Sequence, residues 1–349
     1  MGQMTIKDIA KKCGVGVSTV SRALNNHPDI NPKTRELILK TVEEADFIPN
    51  NSARNLKRTD SKTIAIVVKE IDNPFFATMM TVMEREIRLM RYSFFIQHVG
   101  RNQNEVDAAA ELVKEKRLRG IIFLGGDFKK QGGRLMRLAV PFVVSAAELP
   151  RMDQKTVCSF VSIDDRTESR KMTEYLCEKG HRKIAILAAC RQDDNVGKLR
   201  LAGYREALGE YGIPVREELI RHLDQEHSDY SMENGYRLMK RLLEERTEFT
   251  AVYAIADAMI IGACKAILES GKQIPADCEA AGFDGISETF YYEPSITTVK
   301  QPVEQIASES VSSLFEMIES KKSREGKILP ARLVPRKSTG QEENQEVQI

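Results

Sequence analysis

The residues whose types and spacing could do chemistry are concentrated in the first sixty positions of this 349-residue chain. Val17-Ser18-Thr19-Val20-Ser21-Arg22-Ala23-Leu24-Asn25 is a run of small polar side chains carrying one arginine. Val20 and Leu24 form an inward pair at helical spacing, and Val17, Ser18, Ser21 and Arg22 lie elsewhere on the surface. Small polar residues near a helix N-terminus suit close approach to base edges. Residues 1–58 hold ten Lys and Arg against six Asp and Glu, a surplus of four positive charges that leaves −3 on the remainder. A basic head on a slightly acidic body fits a protein whose head meets phosphate and whose body does not. Elsewhere the reactive types do not assemble. Cys13, Cys158, Cys177, Cys190, Cys264 and Cys278 are scattered, no two of them three apart. That pattern favours free thiols in a reducing compartment over zinc clusters or redox pairs. His222 and His227 are five apart, the wrong offset for one helix face. No dinucleotide fingerprint, phosphate-binding loop, zinc-protease helix or nucleophile elbow occurs. The residues therefore offer no support for an enzyme, a metal or a cofactor.

Three short helices must position the polar run. Ile6, Ile9, Ala10 and Cys13 make an apolar stripe, with Thr5 to cap its start and Gly14 to end it in a left-handed turn. Asn31-Pro32 opens a third helix with Ile38, Val42 and Ala45 inward. Together they spell a helix-turn-helix unit; a three-helix packing module that binds no DNA is the plainer alternative. Beyond Thr59-Asp60-Ser61-Lys62, apolar runs at Ile64–Val68, Phe94–Gln97, Ile121–Leu124, Phe142–Val144, Phe160–Ile163, Ile184–Ala188, Ala251–Ile255 and Ala280–Phe283 alternate with helical patterns. This predicts parallel sheets covered by helices, divided into two α/β lobes. Gly125-Gly126 and Gly132-Gly133 read as turns. No apolar run approaches the roughly 20 residues of a membrane helix, and the N-terminus lacks the features of a signal peptide, so a cytoplasmic protein is expected. The polar, acidic stretch Ser338–Ile349 reads as a disordered tail without leucine heptads.

At the level of motifs the head resembles the lactose/galactose/purine repressor (LacI/GalR) family. The resemblance rests on Thr5-Ile6-Lys7-Asp8-Ile9-Ala10, on Val17 to Asn25, on Thr34-Arg35, on Phe47-Ile48-Pro49-Asn50 and on Ala53-Arg54-Asn55-Leu56-Lys57. It covers nearly the whole chain and departs at Gly16, where the family usually has Ser. It implies a helix-turn-helix DNA-binding domain over 1–49, a hinge helix and linker over 50–60, and a two-lobed domain for effector binding and dimerisation over 61–337. It further implies that Val17, Ser18 and Arg22 read bases, with Arg22 suited to a bidentate guanine contact and Val17 to a thymine methyl. Thr19, Ser21, Asn25 and Thr34 would help hold phosphate. By the same resemblance Thr5, Asn50 and Ala53 would be further contact positions. In the hinge, Leu56 would wedge into the central base step of a bent minor groove, with Arg54 and Lys57 lining the groove or its phosphates.

The body resembles the periplasmic sugar-binding-protein fold that this family uses to sense small molecules. Asp72-Asn73-Pro74-Phe75-Phe76, Gly180 to Ala185, Arg200 to Tyr204, Gly282-Phe283-Asp284 and Pro294 to Pro302 carry the match. It implies lobe crossings near residues 161, 286 and 321. It also implies a cleft in which Arg200 and Asp284 bond a ligand, Phe76 and Tyr230 stack on it, and Asp257 and Gln301 face it. An internal Arg200–Asp284 ion pair closing the lobes is the structural alternative. Ala256 and Ser145 stand where many relatives carry ligand-binding Asn and Asp, and Asp193-Asp194 would disfavour a strongly anionic ligand. The expected protein is a homodimeric repressor on a pseudo-palindromic double-stranded DNA operator, answering to a small-molecule effector, a sugar first and a nucleobase second. A small-molecule binding protein without a DNA role is the competing class. The residues leave open whether the effector releases DNA or promotes its binding.

Overall fold

The computed structural model of the chain describes residues 4–24, 27, 29–45, 62–69, 71–100, 103–225 and 229–342. It separates into two units, Met1–Ser61 and Lys62–Ile349.

In the smaller unit, α1 (Ile6–Cys13), α2 (Val17–Leu24) and α3 (Pro32–Glu44) pack around Ile9, Ala10, Val20, Ala23 and Ile38. Leu24 joins that core as a half-buried neighbour. The chain's short polar groups set the helix ends. The Asp8 carboxylate accepts from the Thr5 N–H at 2.8 Å and from its hydroxyl at 2.6 Å, and Gly14 closes α1 at φ +66°. The Asn31 side chain accepts from the Lys33 N–H at 2.9 Å, with Pro32 at the first helical position.

The larger unit holds two six-stranded sheets. The first lobe contains β1 (Thr63–Val68), α4 (Pro74–Leu89), β2 (Ser93–His98), α5 (Glu105–Lys116), β3 (Gly120–Leu124), α6 (Gly132–Leu135), β4 (Phe142–Ser145) and β5 (Cys158–Ser162). The second contains α7 (Asp165–Glu178), β6 (Ile184–Ala188), α8 (Val196–Glu210), β7 (Ile220–His222), α9 (Met232–Glu244), β8 (Ala251–Ala254), α10 (Asp257–Glu269), β9 (Glu279–Asp284), α11 (Glu288–Tyr291) and β10 (Thr297–Lys300). Then α12 (Val303–Ser320) packs on α4 and on β3 to β5, back in the first lobe. Finally β11 (Lys327–Ile328) joins β5, and β12 (Arg332–Val334) joins β10 antiparallel. The strand orders are β11-β5-β4-β3-β1-β2 and β12-β10-β9-β8-β6-β7. Apart from the β10–β12 pair every pairing is parallel, as in Ile66 opposite Ile96 on one side and Ile122 on the other. Strands buried on both faces are apolar throughout, which is why they appear as continuous runs in the sequence.

The chain passes between the sheets near 163–164, 301–302 and 329–331. The first position lies two to three residues after the expected 161. The other two fall later than 286 and 321, because β10 completes the second sheet before the return and α12 lies wholly in the first lobe. Residue 286 sits inside the second lobe, and Lys321 is the left-handed cap of α12. Two further expectations need correction. Gly132-Gly133 begins a short helix, α6, instead of a turn. The C-terminal segment stays ordered past Ser338: the Ser338 hydroxyl donates to Ala280 O at 2.6 Å and accepts from Thr297 N–H at 2.9 Å, and Thr339 bonds Thr297 and Tyr175. Those matched hydroxyls bury both residues, and residues 343–349 lie outside the described set.

Candidate functional site

In the smaller unit the polar run forms α2, with Val20 and Ala23 buried. Val17, Ser18 and Arg22 are exposed, and Thr19 and Ser21 are half-buried. Thr5 is exposed at the start of α1, and Thr34 is half-buried in the first turn of α3. These positions leave Val17, Ser18 and Arg22 open on one short helix. Arg22 is not idle: its guanidinium donates to Asp29 Oδ2 at 3.4 Å, with both side chains at least half exposed. The role of Asp29 was not anticipated from sequence. A lone carboxylate between two helices carries no spacing signal that would pair it with Arg22. Asn25, Asn50, Ala53, Arg54, Leu56 and Lys57 lie outside the described residues.

In the larger unit a cavity of about 180 Å³ opens between the lobes. Its walls come from the carboxyl ends of strands: Lys69 and Asn73 after β1, Gly125 and Gly126 after β3, Asp193 after β6, and Asp284 at the end of β9. In each sheet the strand order reverses at β1 or β6, and the loops diverging there leave a crevice. Gly125 has φ +62°, and a Cβ there would lie 2.7 Å from the Phe76 ring. A side chain at 125 would push Phe76 from its place on the wall.

Arg200, on α8, lies at the floor. Its Nε donates to Asp165 Oδ1 at 2.8 Å, and one terminal nitrogen donates to Ile255 O at 2.6 Å and to Asp284 Oδ1 at 3.2 Å. The guanidinium carbon stands 3.8 Å from the Phe283 ring centroid. Gln301 donates to the same Asp284 oxygen at 2.9 Å. Asp284 has φ +122°, a conformation rare for L side chains, and Gly285 follows at +79°. Burial lifts the Asp284 carboxyl to about 6 despite the opposing pull of Arg200. Burial also raises Asp165 against the same guanidinium. Asp193, accepting from the Tyr230 hydroxyl at 3.2 Å, is raised by burial as well.

The structure brings Phe76, Arg200, Tyr230 and Asp284 to the cavity wall together. Asp257 and Gln301 do not line it. The Asp257 carboxylate is turned inward, where it accepts from Gly285 N–H at 2.6 Å, Ile286 N–H at 2.9 Å and the Thr298 hydroxyl at 2.7 Å. It fixes the strained turn that carries Asp284. Burial, with Asp284 adding to it, raises this carboxyl to about 7. The Arg200–Asp284 pair lies within the second lobe and does not close one lobe on the other. Among the described residues an ion pair from Lys130 to Asp194 does cross the cleft. Ser145 and Ala256 also stand back from the cavity. The Ser145 hydroxyl donates to Ser310 at 2.7 Å, and Ala256 is buried at the start of α10. Asp165 and Lys69 were missed from sequence. Asp164 and Asp165 stand side by side at the start of α7, but Asp164 caps the helix through the Thr167 N–H while Asp165 turns to Arg200.

With this geometry in place, comparison with known proteins decides the family. Residues 5–50 match the model for bacterial regulatory proteins of the lacI family, and residues 173–339 match a periplasmic binding protein-like domain. The chain is 39% identical over 337 residues to the HTH-type transcriptional regulator MalR of Clostridium butyricum, covering 96% of this chain and 99% of that protein. The chain belongs to the LacI family. Another LacI-type relative is the HTH-type transcriptional repressor PurR of Erwinia tasmaniensis, 30% identical over 91% of each protein. Among solved structures, the lac repressor dimer bound to operator and the anti-inducer ONPF aligns with a TM-score of 0.78 at 26% identity, over 97% of this chain and 99% of that one. The CelR–cellobiose complex aligns at 0.69 and 29% identity, over 96% and 99%. This LacI-family chain is therefore a DNA-binding transcriptional regulator, with a helix-turn-helix head and a two-lobed α/β core. Among its described residues no helix is long and apolar enough to cross a membrane.

Proposed function

We propose that this regulator is a cytoplasmic, homodimeric repressor whose hold on a pseudo-palindromic operator is set by a sugar bound between the lobes. One observation carries the reading: a cavity walled by both lobes sits over Arg200 and Asp284, with Phe76 and Tyr230 on its sides. Two aromatic faces and a floor of fixed charges are what a hydroxyl-rich ring requires. The lac repressor, bound to operator and the anti-inducer ONPF, and CelR, bound to cellobiose, support it. Exposed Leu89, Met90 and Ile96 in the first lobe, and Leu268 and Tyr291 in the second, support a second copy as the cover for these apolar surfaces. The hinge role of Leu56 completes the reading: two copies insert it into the minor groove only when the lobes hold the hinges together.

A gel-shift of the intact chain on pseudo-palindromic and on random DNA, with and without sugars, tests it. Specific binding that a sugar alters supports the proposal. Tyr230→Ala should weaken the sugar response and leave sugar-free DNA affinity unchanged. If the same sugar acts equally on that variant, the cleft is not where the effector binds.

A further inference from the structure

The cavity over Arg200 does not end the open space between the lobes. A second cavity of about 420 Å³ adjoins it and shares Lys69, Asn73 and Tyr230 with it. The first, at about 180 Å³, is smaller than the roughly 300–1,000 Å³ of sites that enclose a drug-sized ligand, so it has room for a single ring. The second is larger and of mixed character. Pro74 and Met232 offer apolar faces from opposite lobes, while Asp72, His98 and Asp229 offer polar atoms.

The charge of the combined wall selects among ligands. Among the described residues, Lys69 and Arg200 are the cations that line the two cavities. Both are already neutralised. Lys69 Nζ lies 3.4 Å from the buried Glu105 carboxylate, and Arg200 is held between Asp165 and Asp284. Asp127 and Asp193 line the first cavity, and Asp72 and Asp229 the second. A phosphate or carboxylate would meet an excess of like charge with no cation in reserve. Hydroxyl groups would find carboxylate acceptors in both cavities.

We propose that the effector is an uncharged two-ring carbohydrate spanning both cavities. One ring lies over Arg200 beside Phe76, the other lies between Pro74 and Met232, and Tyr230 stands at the junction. This rests on the cleft being the sugar site proposed above.

Calorimetric titration of the full-length protein tests it, with glucose and galactose, with maltose, cellobiose and lactose, and with glucose 6-phosphate as probes. At least one disaccharide should bind roughly tenfold or more tighter than either of its component rings, and glucose 6-phosphate should bind more weakly than glucose. Asp72→Trp and His98→Trp fill the second cavity from exposed positions, so the fold should tolerate both. Each should weaken the disaccharide by roughly tenfold while monosaccharide affinity stays within about twofold. If single rings bind as well as disaccharides, if the variants weaken both alike, or if the phosphorylated sugar binds best, the two-ring proposal is overturned and the sugar reading stands. If no sugar binds, the sugar reading fails with it.

Discussion

Replacing Arg200 by methionine removes the cation from the cleft floor and leaves its partners in place. The side chain is 6% exposed, and it bonds Asp165, Asp284 and the Ile255 carbonyl. Methionine occupies much of the same volume but pairs with neither carboxylate. Breaking a buried pair by deleting one partner costs about 3–5 kcal/mol. Here one cation serves two carboxylates, so the upper part of that range is expected at pH 7.5. The loss should shrink in acid. Burial already raises both carboxyls and Arg200 opposes it; without Arg200 both rise further above the unfolded value of about 3.9. A carboxyl raised in the native state keeps a proton that the unfolded chain has released. Its contribution to stability therefore falls as pH rises from the unfolded value through the folded one. Asp284 stands at about 6 with Arg200 present, so without Arg200 the window extends upward from about 4 to beyond 6. The chain has no tryptophan, so urea unfolding is best followed by far-ultraviolet circular dichroism at pH 5.5 and 7.5. A loss below about 1 kcal/mol at pH 7.5, or an equal loss at both pH values, would mean that Arg200 does not act as a buried cation, because an exposed pair behaves that way.

The other expectations concern the head, the hinge and the cleft. Arg22→Ala should cost about 1–3 kcal/mol of specific DNA affinity, read by fluorescence anisotropy; Asp29→Asn should strengthen binding by freeing the guanidinium and removing a negative charge, and a weaker complex would contradict that. Leu56→Ala should weaken specific binding and leave non-specific binding nearly unchanged, whereas equal loss on both DNAs would count against a minor-groove wedge. Lys130→Ala removes the ion pair across the cleft and should speed sugar release in stopped-flow, with the difference fading at high salt; a salt-independent difference would mean another cause. Gly125→Ala places a Cβ against the Phe76 ring in a left-handed backbone, so it should cost about 1–3 kcal/mol and weaken sugar binding; a neutral result would remove Phe76 from the wall.

Much of this architecture is legible in the sequence because burial leaves periodic traces. Ile64–Val68 and Ile184–Ala188 are apolar at every position, as strands covered on both faces must be. The stripe Ile6, Ile9, Ala10 and Cys13 marks α1 equally clearly. The short edge strands β7, β11 and β12 are only two or three residues long, too short for any period to show. Helix α12 went unread although Ile306, Ala307, Ser310, Val311, Leu314, Met317 and Ile318 line one buried face. Two buried serines, Ser310 and Ser313, interrupt its apolar signal. The site shows a sharper division. Arg200, Asp284, Phe76 and Tyr230 were reached through motif resemblance, and the fold brings them together. Asp257 belongs to the same neighbourhood, but its carboxylate serves the backbone of the 285–286 turn instead of the cavity. Residue type and spacing cannot distinguish a carboxylate facing a ligand from one facing a turn. Asp165 carries the same lesson in reverse: a helix-start acid turns out to be the main partner of Arg200.

The most direct test of a sugar-controlled operator binder is selection from a random pool of double-stranded DNA by the full-length protein, with and without the tightest-binding sugar. A two-fold symmetric site is expected, bound roughly 10³-fold or more tighter than random DNA, whose recovery changes when the sugar is added. Enrichment of no symmetric site, or an enriched site indifferent to every sugar that binds the cleft, would contradict it.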